Sequence, residues 1–280
     1  MMKSVFLAAA LLALSSVAFS TSAAPLGSRH AIVVDEQSGE ILFQKNATDI
    51  VPIASITKLM TAMVVLDARL DMFEHITITD ADVDIIKNSS SRVPVGAVLS
   101  RHTLLELALM SSDNRAAHAL ARTYPGGLPT FRVAVRNKAM ELNLRRTNIE
   151  EPTGLSPYNT STASDLARMT MAAAHYPEIE RITTAAGDLI DIEGKLRQYH
   201  NTNQLVSDRN WTILLSKTGF TREAGRCIVM RVRAAGRDAI MVLLNAKEKT
   251  ARTADANTLH RMLTGLENPQ VIANVNYKMR

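Results

Sequence analysis

The stretch that decides the reading is Pro52-Ile53-Ala54-Ser55-Ile56-Thr57-Lys58-Leu59-Met60-Thr61-Ala62-Met63-Val64-Val65-Leu66. From Thr57 to Leu70, Ala, Leu, Met and Val recur at helical spacing without Gly or Pro. This predicts an apolar helix with Ser55 in its first turn and Pro52 just ahead. Residues three apart share a helix face, so the amine of Lys58 can return over the Ser55 hydroxyl and take its proton. A serine hydroxyl is a poor nucleophile without such a base, and a lysine is a base near neutral pH only when its pKa is depressed. An apolar helix whose positive dipole end lies beside the amine supplies that environment.

An S-x-x-K spacing alone arises by chance in a chain this long and describes a solvated helix start equally well. Two further segments change its weight. Ser112-Asp113-Asn114 sits between two predicted helices, where short polar side chains also serve simply as caps. Lys217-Thr218-Gly219 ends an apolar β run, where a charged strand end and a turn glycine are unremarkable. Their joint occurrence, in this order and widely separated, is the specific signal.

Outward from this helix, His30–Asp35 and Glu40–Gln44 read as strands joined at Glu36-Gln37-Ser38-Gly39. His75–Leu99 reads as an irregular crossover with a β-like Ile76–Thr79. Helices are predicted at Thr103–Met110, Arg115–Thr123, Thr130–Leu142 and Ser164–His175, the last capped within Ser161–Ser164. Beyond Asn210 the pattern turns to strands at Trp211–Lys217, Arg226–Arg233 and Ala239–Leu244, then a helix at Asp255–Leu266. Strands at both ends with helices between predict an α+β fold. One antiparallel sheet is made from residues 25–50 and 210–266, and an all-helical lobe at about 70–180 is inserted into it.

With 280 residues and 46% hydrophobic content, the chain can bury a full core. Met1–Ala24 has Lys3 as its only charge, an apolar Val5–Phe19 and small residues to Ala24. It reads as a cleaved secretory signal, leaving 25–280 as one soluble domain with no transmembrane anchor. Cys227 is the only cysteine, so no internal disulfide can form, and its apolar flanks read as core. The net charge of +5 is spread along a chain with 4% aromatic residues, which gives no nucleic-acid footprint. Seven histidines without ligand spacing support no metal site and no cofactor.

The three motifs resemble those of the active-site serine penicillin-recognising enzymes, a set shared by class A β-lactamases and penicillin-binding proteins. Three flanking segments look most like the low-molecular-mass D-alanyl-D-alanine peptidases. They are Ala54–Ala62, Glu151-Pro152-Thr153-Gly154-Leu155-Ser156, and Lys217–Thr221 with Ala224-Gly225. Within these the chain resembles the soluble endopeptidase branch, the penicillin-binding protein seven type. The resemblance runs from about Ala31 to the closing helix and implies a β-lactamase/DD-peptidase-like fold. It implies that Ser55 forms an acyl-enzyme with Lys58 as base, Ser112 relays a proton to the leaving amine, and Asn114 binds the substrate amide and holds Lys58. Lys217 would keep Lys58 neutral by its charge and, with Thr218, bind the substrate carboxylate. Gly219 would let substrate lie along the strand edge, and the N–H groups of Ser55 and Phe220 would form the oxyanion hole. Arg222 and Arg252 could each hold a carboxylate, but each reads first as a solvated surface residue.

The resemblance further implies cleavage of D-Ala to diaminopimelate cross-links in periplasmic peptidoglycan, hence cell-wall remodelling, with β-lactams as covalent inhibitors. Three alternatives stay open. A D-Ala-D-Ala carboxypeptidase uses the same acyl-enzyme, a class A-like β-lactamase could use Glu151 for deacylation, and an inactive peptidoglycan sensor would keep only the fold. Only 61 residues follow Gly219, fewer than anchored carboxypeptidases add, and Asn268–Arg280 is too polar for an anchor, which favours the endopeptidase.

Overall fold

A computed structural model of the chain describes residues 26–266. The expected signal at Met1–Ala24 and the polar tail at Asn268–Arg280 lie outside the described residues. In chain order come β1 (His30–Asp35), β2 (Ile41–Lys45), β3 (Val51–Pro52), α1 (Thr57–Asp67), β4 (His75–Thr77), β5 (Val98–Ser100), α2 (Arg101–Met110), α3 (Asn114–Arg122) and α4 (Gly127–Glu141). They are followed by β6 (Thr160–Ser161), α5 (Ala163–Ala173), α6 (Pro177–Thr184), β7 (Gly187–Ile192), β8 (Lys195–His200), β9 (Thr212–Thr221), β10 (Gly225–Ala234), β11 (Arg237–Ala246) and α7 (Lys249–Leu263).

The main sheet has the order β2-β1-β11-β10-β9, and each described pairing in it is antiparallel. The two chain ends meet where His30–Asp35 pairs with Ala239–Leu244, so the expected sheet from both ends is present. Its central strands β1 and β11 carry the apolar runs Ala31–Val34 and Ala239–Leu244 because both of their faces are covered. On β11, Ile240, Val242 and Leu244 face the helical lobe, while Met241 and Leu243 face Ala256, Leu259 and Met262 of α7. The lobe packs around α1, which is buried from Thr57 to Val65 and therefore apolar on every side.

Three expectations need correction. Ser55 lies not in an α-helical turn but in a 3₁₀ turn, Ala54–Ile56, that leads into α1. The lobe is not all-helical: β4 pairs with β5, and a hairpin of β7 and β8 projects from it. The closing helix begins at Lys249, one and a half turns before Asp255, and it is this extra length that carries Arg252 under the sheet.

One buried ion cluster fixes the wall of the lobe. The Asp82 carboxylate accepts from Arg122 Nε at 2.9 Å and Nη2 at 2.8 Å, from His118 Nδ1 at 2.8 Å and from the Thr79 N–H at 2.9 Å. Burial alone would raise this acid, but the hydrogen bonds from His118 and Arg122 overcome it and hold the carboxyl well below its ordinary 3.8. Asp82→Asn is expected to lower unfolding stability by about 2 kcal/mol, because a buried carboxylate that accepts from Arg122, His118 and Thr79 is replaced by an amide that cannot match those donors. A group with a depressed folded pKa stabilises above its unfolded value. The gap between parent and variant, measured by denaturant unfolding, should therefore narrow as the pH falls below about 4.

Candidate active site

Three parts of the fold converge on Ser55. The stretch entering its turn is pinned by β3, which pairs with β6 through Val51 and Ser161 and through Pro52 and Thr160. Ala54 holds a left-handed φ of 49°, a strained conformation for a residue with a Cβ. Two glycines make room for this turn. A Cβ on Gly154, itself at φ 86°, would lie 2.0 Å from the Ala54 carbonyl oxygen. One on Gly219 would lie 3.0 Å from both the Ile53 carbonyl oxygen and the Ser55 nitrogen. Gly219 is thus needed by the close approach of β9 to the nucleophile turn, and it also lines the cleft beside that turn.

Lys58 is 1% exposed, and its Nζ has three oxygens around it: Ser55 Oγ at 3.0 Å, Asn114 Oδ1 at 2.7 Å and the Thr153 carbonyl at 2.7 Å. A neutral amine has two N–H donors and one lone pair. Asn114 and Thr153 offer only acceptors and take the donors, which leaves the lone pair for the Ser55 hydroxyl. Burial pushes Lys58 from 10.5 down to about 8, against the pull of Glu151, Asp113 and Asp84.

The second segment sits at the junction of α2 and α3. Asp113 is the N-cap, accepting from Ala116 N–H at 2.9 Å, so the bland capping role and a functional one coexist on neighbouring residues. Ser112 is left-handed, at φ 61°, and its Oγ accepts from Lys217 Nζ at 2.8 Å. Asn114 Nδ2 donates to Ser89 Oγ at 2.8 Å, which fixes the amide so that its oxygen faces Lys58.

Lys217, also 1% exposed, comes from β9. Burial, then the charges of Lys58 and Arg252, hold its pKa well below 10.5. The expectation that a charged Lys217 keeps Lys58 neutral is therefore modified, since burial is the leading cause for both amines. Thr218 donates through Oγ1 to Thr202 at 2.7 Å, and Phe220 stands half exposed at the mouth. Ser55, Ser112, Asn114, Thr218, Gly219 and Phe220 share one cleft of about 490 Å³.

Arg252 corrects another expectation: it is 6% exposed rather than solvated, lines this cleft and donates to the Cys227 carbonyl at 3.3 Å. Burial and then the neighbouring Arg226 lower its pKa. Arg222 is exposed, as expected of a surface arginine. Cys227 is buried as expected, and burial raises its thiol to about 11. Glu151 has no free oxygen to activate water. Its Oε2 accepts from the Thr153 N–H and Oγ1, and its Oε1 from the N–H groups of Gly154 and Ser156 and from Asn159 Nδ2. Its work is to shape the loop that presents the Thr153 carbonyl. Sequence reasoning missed that carbonyl, the wall His200–Thr202, Arg226 and Lys249. None belongs to a motif, and only the charge of the two cations at strand and helix starts could have pointed to them.

A solved Streptomyces DD-transpeptidase superposes with a TM-score of 0.78 at 24% identity, covering 91% of this chain and 99% of its own, which places the fold among the DD-peptidases. The family described as D-alanyl-D-alanine carboxypeptidase matches residues 17–248, and the chain belongs to it, as a serine-type hydrolase. Among curated relatives, a D-alanyl-D-alanine endopeptidase of Pseudomonas aeruginosa is 42% identical over 92% of this chain and 86% of its own length. One of Escherichia coli is 39% identical over 94% and 86%.

The tight contact at Gly154 gives a test. Gly154→Ala should lower the thermal midpoint by about 3 to 10 °C through overpacking. Gly96→Ala shares a positive φ, 91° against 86°, but meets nothing within 4 Å, and should lower it much less.

Proposed function

We propose that the protein is a D-alanyl-D-alanine endopeptidase acting on peptidoglycan cross-links between D-Ala and diaminopimelate. The observation that carries the chemistry is the Lys58 amine, held between Asn114 and Thr153 with Ser55 as its third neighbour. The choice of cross-link over terminal D-Ala is supported by the names of the two relatives at 42% and 39% identity.

In this reading the neutral Lys58 takes the Ser55 proton as Oγ attacks the D-Ala carbonyl, and the N–H groups of Ser55 and Phe220 receive the oxyanion. Ser112, held by Lys217, passes a proton to the leaving amine and the C–N bond breaks, leaving an acyl-Ser55 ester that water hydrolyses. Thr218 and Arg252 take the carboxylate beside the scissile amide. A β-lactam presents a strained amide with a carboxylate in the same place, so it acylates Ser55. The work site is the periplasm, where the substrate lies; among the described residues no helix is long and apolar enough to cross a membrane.

A carboxypeptidase reading is favoured by the description of the family itself. Digestion of purified cross-linked muropeptides beside a pentapeptide ending in D-Ala-D-Ala separates the two. Cleavage of dimers, abolished in Ser55→Ala, is expected, whereas release of D-Ala with dimers untouched overturns the endopeptidase reading.

The base gives a second test. Lys58 must be unprotonated to act, so the rate of acylation by penicillin should rise with pH and level off above about 8. A rate flat from pH 6 to 9 would reject Lys58 as the base.

A further inference from the structure

The end of the cleft next to α7 is more cationic than one carboxylate requires. Its charged lining residues are Arg226, Lys249 and Arg252, and among the described residues no Asp or Glu lines it. The recorded partners of these cations are neutral. Arg252 reaches the Cys227 carbonyl, Lys249 Nζ lies 3.0 Å from Gln204 Oε1, and the Arg226 guanidinium stacks 3.7 Å from the centroid of the Phe220 ring. Arg226 Nε is buried and has no hydrogen-bond partner. On the same strand, Arg231 contrasts with it: Glu36, Glu180 and Asp238 all lie within 3.1 Å of its guanidinium. The fold therefore compensates a half-buried guanidinium at one end of β10 and leaves another uncompensated at the cleft.

Arg226 stands directly opposite Phe220 in the ladder, two residues beyond Thr218. Side chains of alternate residues share a sheet face, so Thr218, Phe220 and Arg226 all lie on the side of α7, together with Arg252. A departing D-Ala carries one carboxylate, which Thr218 and Arg252 satisfy. The diaminopimelate of a cross-link carries that one and belongs to a second peptide stem with further free acids.

We infer that Arg226, with Lys249 on the same cleft wall, binds a second carboxylate on the leaving side of the scissile amide and so selects an acidic peptide over a lone D-Ala as leaving group. This role rests on the endopeptidase reading above. It makes Arg226 a specificity-determining residue that takes no part in bond breaking. Its planar fork, held flat by the Phe220 ring, suits a carboxylate better than a mobile ammonium does.

The test compares parent, Arg226→Gln and Arg226→Lys by kcat/KM on three substrates: a cross-linked muropeptide dimer, the same dimer with the other free acids of its acceptor stem amidated, and a D-Ala-D-Ala pentapeptide. The rate of penicillin acylation checks that each variant folds. In Arg226→Gln the ratio of dimer to pentapeptide kcat/KM should fall about tenfold or more, chiefly through KM, with partial recovery in Arg226→Lys. The parent should lose a similar factor on the amidated dimer, and Arg226→Gln should not distinguish the two dimers. An unchanged ratio overturns the assignment. So does an equal loss on dimer, pentapeptide and penicillin, which would make Arg226 a support for Phe220 alone. A parent that leaves dimers intact while trimming the pentapeptide would instead defeat the endopeptidase reading on which this role rests.

Discussion

The structure depends on lowering the proton affinity of one buried amine and keeping that amine aimed. Lys58 lies inside an apolar helix, where an ammonium is unwelcome, and the fall from 10.5 to about 8 amounts to about 3 kcal/mol of bias against it. An amine placed there without partners would turn at random among its rotamers. Asn114 and Thr153 prevent that by accepting both N–H groups, and they come from two different parts of the chain. Asn114 is anchored by Ser89, while the Thr153 carbonyl is presented by a loop wound around the Glu151 carboxylate. An acid in the interval between the second and third motifs therefore acts here through geometry, and its charge opposes the pKa shift that burial imposes on Lys58.

The same logic explains why the backbone is strained where it is. Ala54 and Ser112 both occupy left-handed conformations without being glycine, and both flank the reacting groups. Each costs of order 1 kcal/mol or more and persists only because its surroundings over-determine it. For Ala54 the surroundings are Gly154 on one side and Gly219 on the other, packed so closely that neither position tolerates a Cβ without displacement. For Ser112 they are the Asp113 cap of α3 and the Lys217 amine. The nucleophile turn, the capped junction and the strand edge are therefore fixed relative to each other by contacts that leave little room for adjustment.

How much of this could be read from the sequence differs by residue. Ser55 and Lys58 were legible from their spacing on one helix face, and Ser112, Asn114 and Lys217 from the resemblance of the three motifs to a known set; the structure brings all five together. The main sheet was legible because its strands carry β-type apolar stretches, most continuous at Ala31–Val34 and Ala239–Leu244. The β7 and β8 hairpin was not: most of its residues face solvent, Leu189 and Leu196 included, so burial imposes no clean alternation. Arg252 was misread because an arginine defaults to the surface, and only the tertiary position of α7 puts it beneath the Cys227 carbonyl. The Thr153 carbonyl was out of reach in principle, since a main-chain acceptor leaves no mark on the identity of its residue.

The edge of the sheet ties these observations together. An exposed edge strand invites pairing with another chain, and β9 is such an edge. Over Ser216 it is closed by α6, where Thr183 accepts from the Ser216 hydroxyl at 3.1 Å, and at Gly219 it is closed by the Ala54–Ile56 turn. On either side of Gly219, Thr218 and Phe220 line the open cleft. An extended peptide that added to β9 at this cleft would lie beside Ser55, so the covers over the neighbouring edge also leave open the part nearest the reactive hydroxyl. Because both covers belong to the segments that hold Ser55 and its neighbours in place, a loosened cover would disturb the nucleophile as well as expose the strand. Protection of the fold and access of substrate are thus set by the same few contacts.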